Sequence, residues 1–175
     1  MARVASVGRV AACPICAHGG PPPDTIAELA VSWVTSGLGP LPVRGYACVV
    51  AKRHVVEPYE LEGDERAAFW EDVLAAAEAV ACHLRPSKMN YEIHGNTIPH
   101  LHVHLLPRGP GDGYGETGLT HTPEELEALR AALAVVDPPR RQGDRGLTPD
   151  IGSRYPVRCG SPRAGSQSGS DPESR

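Results

Sequence analysis

The residues of this chain best suited to chemistry are three histidines, His100, His102 and His104, which alternate with aliphatic residues. In an extended strand, side chains point to opposite faces in turn, so the imidazoles would share one face and the aliphatic side chains would enter the core. A helix would scatter the histidines around its circumference, and the preceding Pro99 suits the first residue of a strand. The pattern therefore predicts a strand with one imidazole face.

Imidazole near neutral pH can act as a nucleophile, as a general acid or base, or as a metal ligand. Strict alternation of three histidines is hard to reconcile with incidental polar positions on a solvated strand. The competing interpretation is a metal ion held by alternate histidines, as strands provide in several kinds of metal site. Both interpretations require other elements that shape a site around this strand.

A second motif is Cys13-Pro14-Ile15-Cys16, whose spacing suits two thiolates on one zinc ion. A four-cysteine site is excluded because the remaining cysteines stand singly, at Cys48, Cys82 and Cys159. Histidines would have to complete the ligand set. A redox role is disfavoured because the run of glycine and proline at 19–23 prevents a helix directly after the motif. An unoccupied cysteine pair is the other alternative.

Length and cysteine content set the broad class of the protein. The 175 residues fit one domain with an appendage, and no apolar run approaches the length that a bilayer requires, so no membrane association is expected. Five cysteines are an odd number without the density of a disulfide scaffold. We therefore expect a reducing compartment, with the cytoplasm as the working assumption.

Charge is distributed unevenly along the chain. Residues 138–175 hold seven arginines and four acids, so the net charge of −4 for the whole chain leaves −7 for residues 1–137. Binding of nucleic-acid polymers depends on many contacts from lysine and arginine, which an acidic body does not offer. An anionic substrate is therefore expected to be small and held locally.

The elements expected before the triad are strands and one long helix. Residues 25–34 predict a strand, and residues 45–50 predict a second, buried strand that pairs with it as a hairpin and leads to His54. Residues 64–84 predict a helix with Asp64 capping its first turn and Pro86 ending it. Its apolar stripe, expected to be core, comprises Trp70, Val73, Leu74, Ala77, Val80, Ala81 and Leu84.

The elements nearest the triad complete the expected domain, residues 1–137. Residues 89–94 predict a strand antiparallel to the triad strand, in a hairpin that brings Asn90, Asn96 and Thr97 near the histidines. A capping box that begins at Thr122 predicts a second helix, which ends before Asp137. Residues 138–175 are rich in proline, glycine, serine and arginine and are predicted to be a disordered tail.

The motif His-Leu-His-Val-His-Leu-Leu resembles the signature of the histidine triad (HIT) superfamily. The residues around it, 90–99 and 107–108, look like those of bacterial HIT hydrolases of the dinucleoside polyphosphate type. The similarity extends back through residues 52–58 to the cysteine pair, and covers about residues 13–135. It implies an α+β fold, an antiparallel sheet with two packed helices, in a homodimer.

The resemblance also implies roles for individual residues. The middle histidine, His102, would be the nucleophile on the α-phosphorus of a nucleotide, with one ring nitrogen held by a main-chain carbonyl near His100. His104 would contact the α-phosphate and complete the catalytic set of His102, His104 and His100. The nucleotide would be bound by Asn90, Asn96 and Thr97. Arg108 is expected either to steer the polyphosphate or to form a structural ion pair.

Zinc-containing members of the superfamily imply a structural zinc ion here. The implied ligands are Cys13, Cys16, His54 and His100, a set without an open coordination position. His18 and His94 are rival ligands. In this arrangement the first histidine of the triad need not take part directly in phosphoryl chemistry.

The function expected from these residues is hydrolysis of a dinucleoside polyphosphate or a similar nucleoside phosphate conjugate, through a nucleotidyl-histidine intermediate on His102. The alternatives are a nucleotidyltransferase or phosphorylase of the same superfamily and a non-catalytic nucleotide-binding protein. A metal-dependent hydrolase that uses all three histidines as ligands is less favoured. Many relatives carry Gln-Ser or Gln-Thr where this chain has Asn96 and Thr97, which leaves the leaving-group preference open.

Overall fold

The computed structural model describes residues 13–37, 41–95, 97–110 and 121–136. The described part contains five strands and two α-helices, together with short 3-10 helices at Cys16–His18 and Pro58–Glu60. In chain order they are β1 (Thr25–Glu28), β2 (Ser32–Thr35), β3 (Ala47–Ala51), α1 (Gly63–Leu84), β4 (Lys88–Glu92), β5 (His102–Arg108) and α2 (Pro123–Ala134). The predicted tail, residues 138–175, lies outside the described residues.

The five strands form one sheet in the order β1-β2-β3-β5-β4, and every neighbouring pair is antiparallel. Helix α1 packs against β2, β3 and β5, while α2 packs against α1 and β1. The α+β fold expected from the sequence is confirmed. The strand that carries two of the triad histidines, β5, lies between β3 and β4, so both neighbours can contribute to a site.

The single strand predicted over residues 25–34 is wrong, because the chain reverses at residues 29–31 between β1 and β2. Strand β2 then pairs with β3, as the predicted hairpin requires. The reversal contains no glycine, proline or asparagine. It is stabilised instead by hydrogen bonds to a side chain of another element. The buried carboxylate of Asp72 on α1 accepts hydrogen bonds from the Val31 N–H at 2.9 Å and the Ser32 hydroxyl at 2.8 Å.

Helix α1 confirms the predicted long helix, with two corrections. Its N-cap is Glu62, which makes no side-chain cap, and Asp64 lies inside the first turn, where a negative charge favours the helix dipole. Leu74 of the predicted core stripe is 56% exposed. The buried face is centred on Phe69 and Val73, and Leu74 is rotated by about 100° from Val73, since a helix has 3.6 residues per turn.

Both helices end where the sequence predicts. Arg85 adopts the left-handed conformation after α1 and donates its backbone N–H to the Ala81 carbonyl at 2.8 Å, and Pro86 follows. The capping box of α2 is confirmed by reciprocal hydrogen bonds between Thr122 and Glu125 at 3.0 and 3.2 Å. Within the described residues, neither helix combines the length and the apolar character that crossing a bilayer requires.

Candidate active site and metal cluster

Strand β5 separates its side chains as the alternation predicts. Val103 and Leu105 are fully buried in the core between sheet and helices, so His102 and His104 lie on the opposite face. Those two rings contact each other edge to face, with centroids 4.8 Å apart. His100 precedes the strand, is 1% exposed and belongs to a different cluster, so the prediction of three histidines on one strand is correct for two of them.

The imidazole of His102 is oriented by the backbone. Its Nδ1–H donates to the carbonyl oxygen of His100 at 2.7 Å, the type of acceptor that the family resemblance implies. A neutral imidazole with its proton on Nδ1 keeps a lone pair on Nε2. This second nitrogen is therefore available as a nucleophile.

The imidazole of His104 is oriented by a side chain. The hydroxyl of Tyr46 lies 2.6 Å from His104 Nδ1, and the two rings are in contact. Burial lowers the pKa of His104 to about 4, and the nearby imidazoles of His102 and His94 contribute in the same direction. Burial raises the pKa of Tyr46 well above its ordinary value. At neutral pH both groups are therefore uncharged.

A pocket of about 430 Å³ opens on this face of the sheet. Its lining comprises Pro42, Tyr46, Glu92, His94, Thr97, Ile98, His102, His104 and Leu106. The apolar members provide surface for an apolar group of a ligand, and the imidazoles can contact a polar group of the same ligand. This combination of an apolar wall with a few convergent polar groups is typical of a small-molecule site.

Two residues that line the pocket, Glu92 at the end of β4 and His94 in the loop after it, are hydrogen-bonded to each other. The Nε2–H of His94 donates to the carboxylate of Glu92 at 3.0 Å, and the His94 ring contacts the His104 ring with centroids 5.0 Å apart. Glu92 is opposite His104 in the β4–β5 register. A carboxylate that holds an imidazole fixes which ring nitrogen carries the proton.

The three predicted nucleotide-binding residues have different positions. Thr97 lines the pocket. Asn90 is opposite Leu106 in the register, one residue pair beyond Glu92 on the same face of the sheet. Asn96 lies outside the described residues. Their proposed role in binding a nucleotide stays a prediction.

Sequence reasoning missed Tyr46 and Glu92 as pocket residues. Glu92 is two residues from Asn90 in a predicted strand, so the alternation of side chains could have placed it on the triad face. Tyr46 shares a face with Cys48, which is opposite His104. That relation depends on the register between β3 and β5, which no local pattern encodes.

The four residues implied as zinc ligands lie together at one end of the triad segment. Their ligand atoms, from Cys13, Cys16, His54 and His100, are all within 4.8 Å of one another. Nδ1 of His100 is 3.4 Å from Cys13 Sγ and 3.7 Å from Cys16 Sγ. Nδ1 of His54 is 3.3 Å from Cys16 Sγ and 3.3 Å from His100 Nδ1.

These distances fit one tetrahedral zinc ion. Zinc bonds of about 2.3 Å to sulfur and about 2.05 Å to nitrogen place two nitrogens about 3.3 Å apart, and a sulfur and a nitrogen about 3.6 Å apart. The Nε2–H of His100 donates to the Ala51 carbonyl at 2.7 Å, which leaves Nδ1 as the ligand atom and fixes the ring. Burial lowers the pKa of His100, which favours the neutral form that a metal binds.

The rival ligands lie elsewhere. His18 is exposed at the end of the first 3-10 helix, and His94 lines the pocket. In the described part of the chain, the Cys2His2 group is the one cluster of metal-ligating side chains within such a short range. A structural zinc ion would join the cysteine loop to the end of β3 and to the start of β5.

The fold and the site together define an α+β protein in which paired imidazoles on one sheet face adjoin a Cys2His2 cluster. Residues 42–111 match the family model described as the HIT domain. The chain is 29% identical to the "Protein hit" of Bacillus subtilis (strain 168) over 101 residues, which are 52% of this chain and 70% of that protein. Both matches support the resemblance to the histidine triad superfamily that the motifs predict.

Solved structures share the fold. A zinc-bound histidine triad family protein from Mycobacterium smegmatis is 26% identical, with a TM-score of 0.56 over 71% of this chain and 95% of that one. A hypothetical histidine triad nucleotide-binding protein from Sulfolobus tokodaii is 19% identical, with a TM-score of 0.54 over 69% of this chain and 87% of that one. The second likeness concerns the fold alone.

Proposed function

We propose that the protein is a nucleotide hydrolase that acts on a dinucleoside polyphosphate or a similar nucleoside phosphate conjugate through a nucleotidyl intermediate on His102. The observation that carries this proposal is the hydrogen bond to the His100 carbonyl from the Nδ1–H of His102, which lines a pocket of about 430 Å³. Members of the superfamily are generally nucleotide-processing enzymes.

In the first step, the lone pair on His102 Nε2 attacks the α-phosphorus and the bond from phosphorus to the leaving-group oxygen breaks. The leaving group departs with that electron pair as a phosphate, a polyphosphate or a nucleotide. The substituted ring gains positive charge, which the His100 carbonyl stabilises through the Nδ1–H. A single high barrier is thereby divided into two lower ones.

In the second step, water attacks the same phosphorus and the bond from phosphorus to Nε2 breaks. The electron pair returns to His102, a proton passes to solvent, and a nucleoside monophosphate is released. Neutral donors around the pocket, His104 among them, would stabilise charge on the phosphoryl oxygens in both steps. Preorganised donors of this kind usually contribute more than any other single factor.

The proposal is tested by trapping the intermediate. The protein is mixed with diadenosine tetraphosphate labelled at an α-phosphate and quenched within milliseconds to seconds. We expect an acid-labile adduct on His102, followed by accumulation of labelled adenylate. Label that leaves the protein only when phosphate or a sugar phosphate is added would instead indicate the transferase.

The matched variants are His102→Ala and His18→Ala. His102→Ala should lower turnover by at least about a thousand-fold with an unchanged melting temperature, because it removes the nucleophile. His18→Ala changes an exposed histidine outside both clusters and should leave turnover and adduct formation unchanged. Full turnover in His102→Ala would refute the covalent mechanism, and binding without adduct or product would favour a nucleotide-binding protein.

Three further properties belong to the proposal. Zinc is its structural cofactor, supported by the geometry of the Cys2His2 cluster and by the zinc-bound relative from Mycobacterium smegmatis. A homodimer is the assembly that the family resemblance implies, and analytical ultracentrifugation of the full chain tests it. The cytoplasm remains the predicted location, and a small nucleotide remains the expected substrate.

A further inference from the structure

Tyr46 was not among the residues that the sequence predicted, yet its hydroxyl oxygen lies only 2.6 Å from His104 Nδ1 in the pocket. It lies just before β3, on the same face as Cys48, and Cys48 is opposite His104 in the sheet. The tyrosine ring also packs against the imidazole, with centroids 5.7 Å apart. The contact is therefore held by both the backbone register and the ring packing.

The charge states and the relative acidities of the two groups decide the direction of this hydrogen bond. A buried tyrosine keeps its proton at neutral pH, and the imidazole of His104 is neutral there. If Nδ1 of His104 carried a proton, two hydrogen atoms would meet along the contact unless the hydroxyl turned away. The phenol hydroxyl is the more acidic donor and the imidazole nitrogen the more basic acceptor, so O–H···N is the favoured arrangement between these two neutral groups.

We propose that Tyr46 is a positioning residue that donates to Nδ1 of His104 and thereby holds this imidazole as its Nε2–H tautomer. The nitrogen that remains for a ligand is then a hydrogen-bond donor. His102 has the opposite tautomer, with its proton on Nδ1 and its lone pair on Nε2. Two adjacent rings of the same residue type thus present an attacking lone pair and a donor to one pocket.

This division of roles suits a phosphoryl group. The lone pair of His102 meets the electrophilic phosphorus, while the Nε2–H of His104 meets an anionic oxygen bound to it. With the other tautomer, His104 would present a second lone pair to that oxygen and would repel it. The contribution to turnover rests on the proposed function, whereas the tautomer itself does not.

The test is nitrogen NMR of the imidazoles in the full chain at neutral pH, compared between wild type and Tyr46→Phe. The His104 signals are assigned by their loss in His104→Gln. We expect the wild type to show a protonated Nε2 and an unprotonated Nδ1 that accepts a hydrogen bond. Tyr46→Phe should lose the accepting signature, populate the other tautomer and raise the pKa of His104, because the donor that favours its neutral form is gone.

Controls separate positioning from structural damage. Tyr59→Phe removes the same hydroxyl from a tyrosine that is 74% exposed, and should leave the His104 signals unchanged. The ionisable groups that face His104 are Tyr46, Cys48, Glu92, His94 and His102, and the titration is repeated in Glu92→Gln and His94→Asn to separate their effects. A wild-type Nδ1–H signal on His104, or identical spectra in wild type and Tyr46→Phe, would overturn the inference.

Kinetics complete the test. Tyr46→Phe should lower kcat about 10-fold or more with a smaller change in KM and move the acidic limb of the pH profile upward. An unchanged kcat with the expected tautomer shift would overturn the role in turnover. Absence of hydrolysis in the wild type, with the expected tautomer present, would reject the proposed function and leave the assignment of Tyr46 standing.

Discussion

At the scale of residues, the site depends on how two chemically identical side chains acquire different properties. His102 is held by a main-chain carbonyl two residues earlier, a local contact within one segment. His104 is held by a side chain 58 positions away in sequence. The alternation in the sequence predicts that the two rings share a face, and the family resemblance implies the carbonyl acceptor. Tyr46 could not be predicted, because its contact requires the register between β3 and β5.

The depressed pKa of His104 predicts how stability depends on pH. The ordinary value is 6.5 and the value in the fold is about 4, so between these limits the unfolded chain binds more protons than the folded one. The wild type should therefore lose stability relative to His104→Gln as pH falls from 6.5 to about 4, with little change in the difference above 6.5. Urea unfolding of both proteins across this range measures the difference. A wild-type stability that stays constant or rises relative to that of His104→Gln as pH falls would contradict the assignment.

At the scale of elements, the sequence predicts regular structure better than reversals. Both helices have periodic apolar residues and identifiable ends, and their predicted bounds agree closely with the structure. The residues of the reversal between β1 and β2 are apolar, and none of them is a typical turn residue. The residue that stabilises the reversal lies in α1, far away in sequence. The carboxylate of Asp72 satisfies the Val31 N–H and the Ser32 hydroxyl, which are 41 and 40 positions away.

Replacement of Asp72 by alanine should therefore destabilise the fold. It leaves the Val31 N–H and the Ser32 hydroxyl without this acceptor, and we expect a loss of about 2–4 kcal/mol in the free energy of unfolding. The matched control is Asp64→Ala on the same helix, where the acid is exposed and the loss should be at most about 0.5 kcal/mol. Urea denaturation measures both, and equal losses would show that the buried carboxylate has no special role.

Gly45 marks a close approach between elements immediately before Tyr46. Its φ is +76°, and a Cβ there would lie 1.9 Å from Cδ1 of Leu84 at the end of α1. Gly45→Ala should therefore destabilise by at least about 2 kcal/mol, through backbone strain and steric overlap. Gly20→Ala is the control, since nothing lies within 4 Å of its added Cβ and its change should stay within about 0.5 kcal/mol. A similar melting temperature for both variants would refute the close approach.

At the scale of the whole molecule, the Cys2His2 cluster brings the cysteine segment, which belongs to no strand, to the adjoining ends of two strands that the sheet pairs. Cys13 and Cys16 lie in the N-terminal loop, His54 follows β3, and His100 precedes β5. The cysteine spacing alone predicts two thiolate ligands, and the resemblance supplied the two histidines. Spacing could not distinguish His54 and His100 from His18 and His94, because convergence of ligands is a property of the tertiary fold.

Removal of the metal should therefore loosen the start of β5 while the sheet persists. We expect about one zinc ion per chain by elemental analysis, and a fall in melting temperature of roughly 10 °C or more on chelation, because binding energy at a structural site contributes to folding. Cys13→Ser should lose the zinc and the stability together. His102→Ala and His18→Ala should retain both, since neither residue belongs to the cluster. Zinc lost from His102→Ala and kept in Cys13→Ser would instead place the metal among the triad histidines and replace the covalent mechanism by a metal-dependent one.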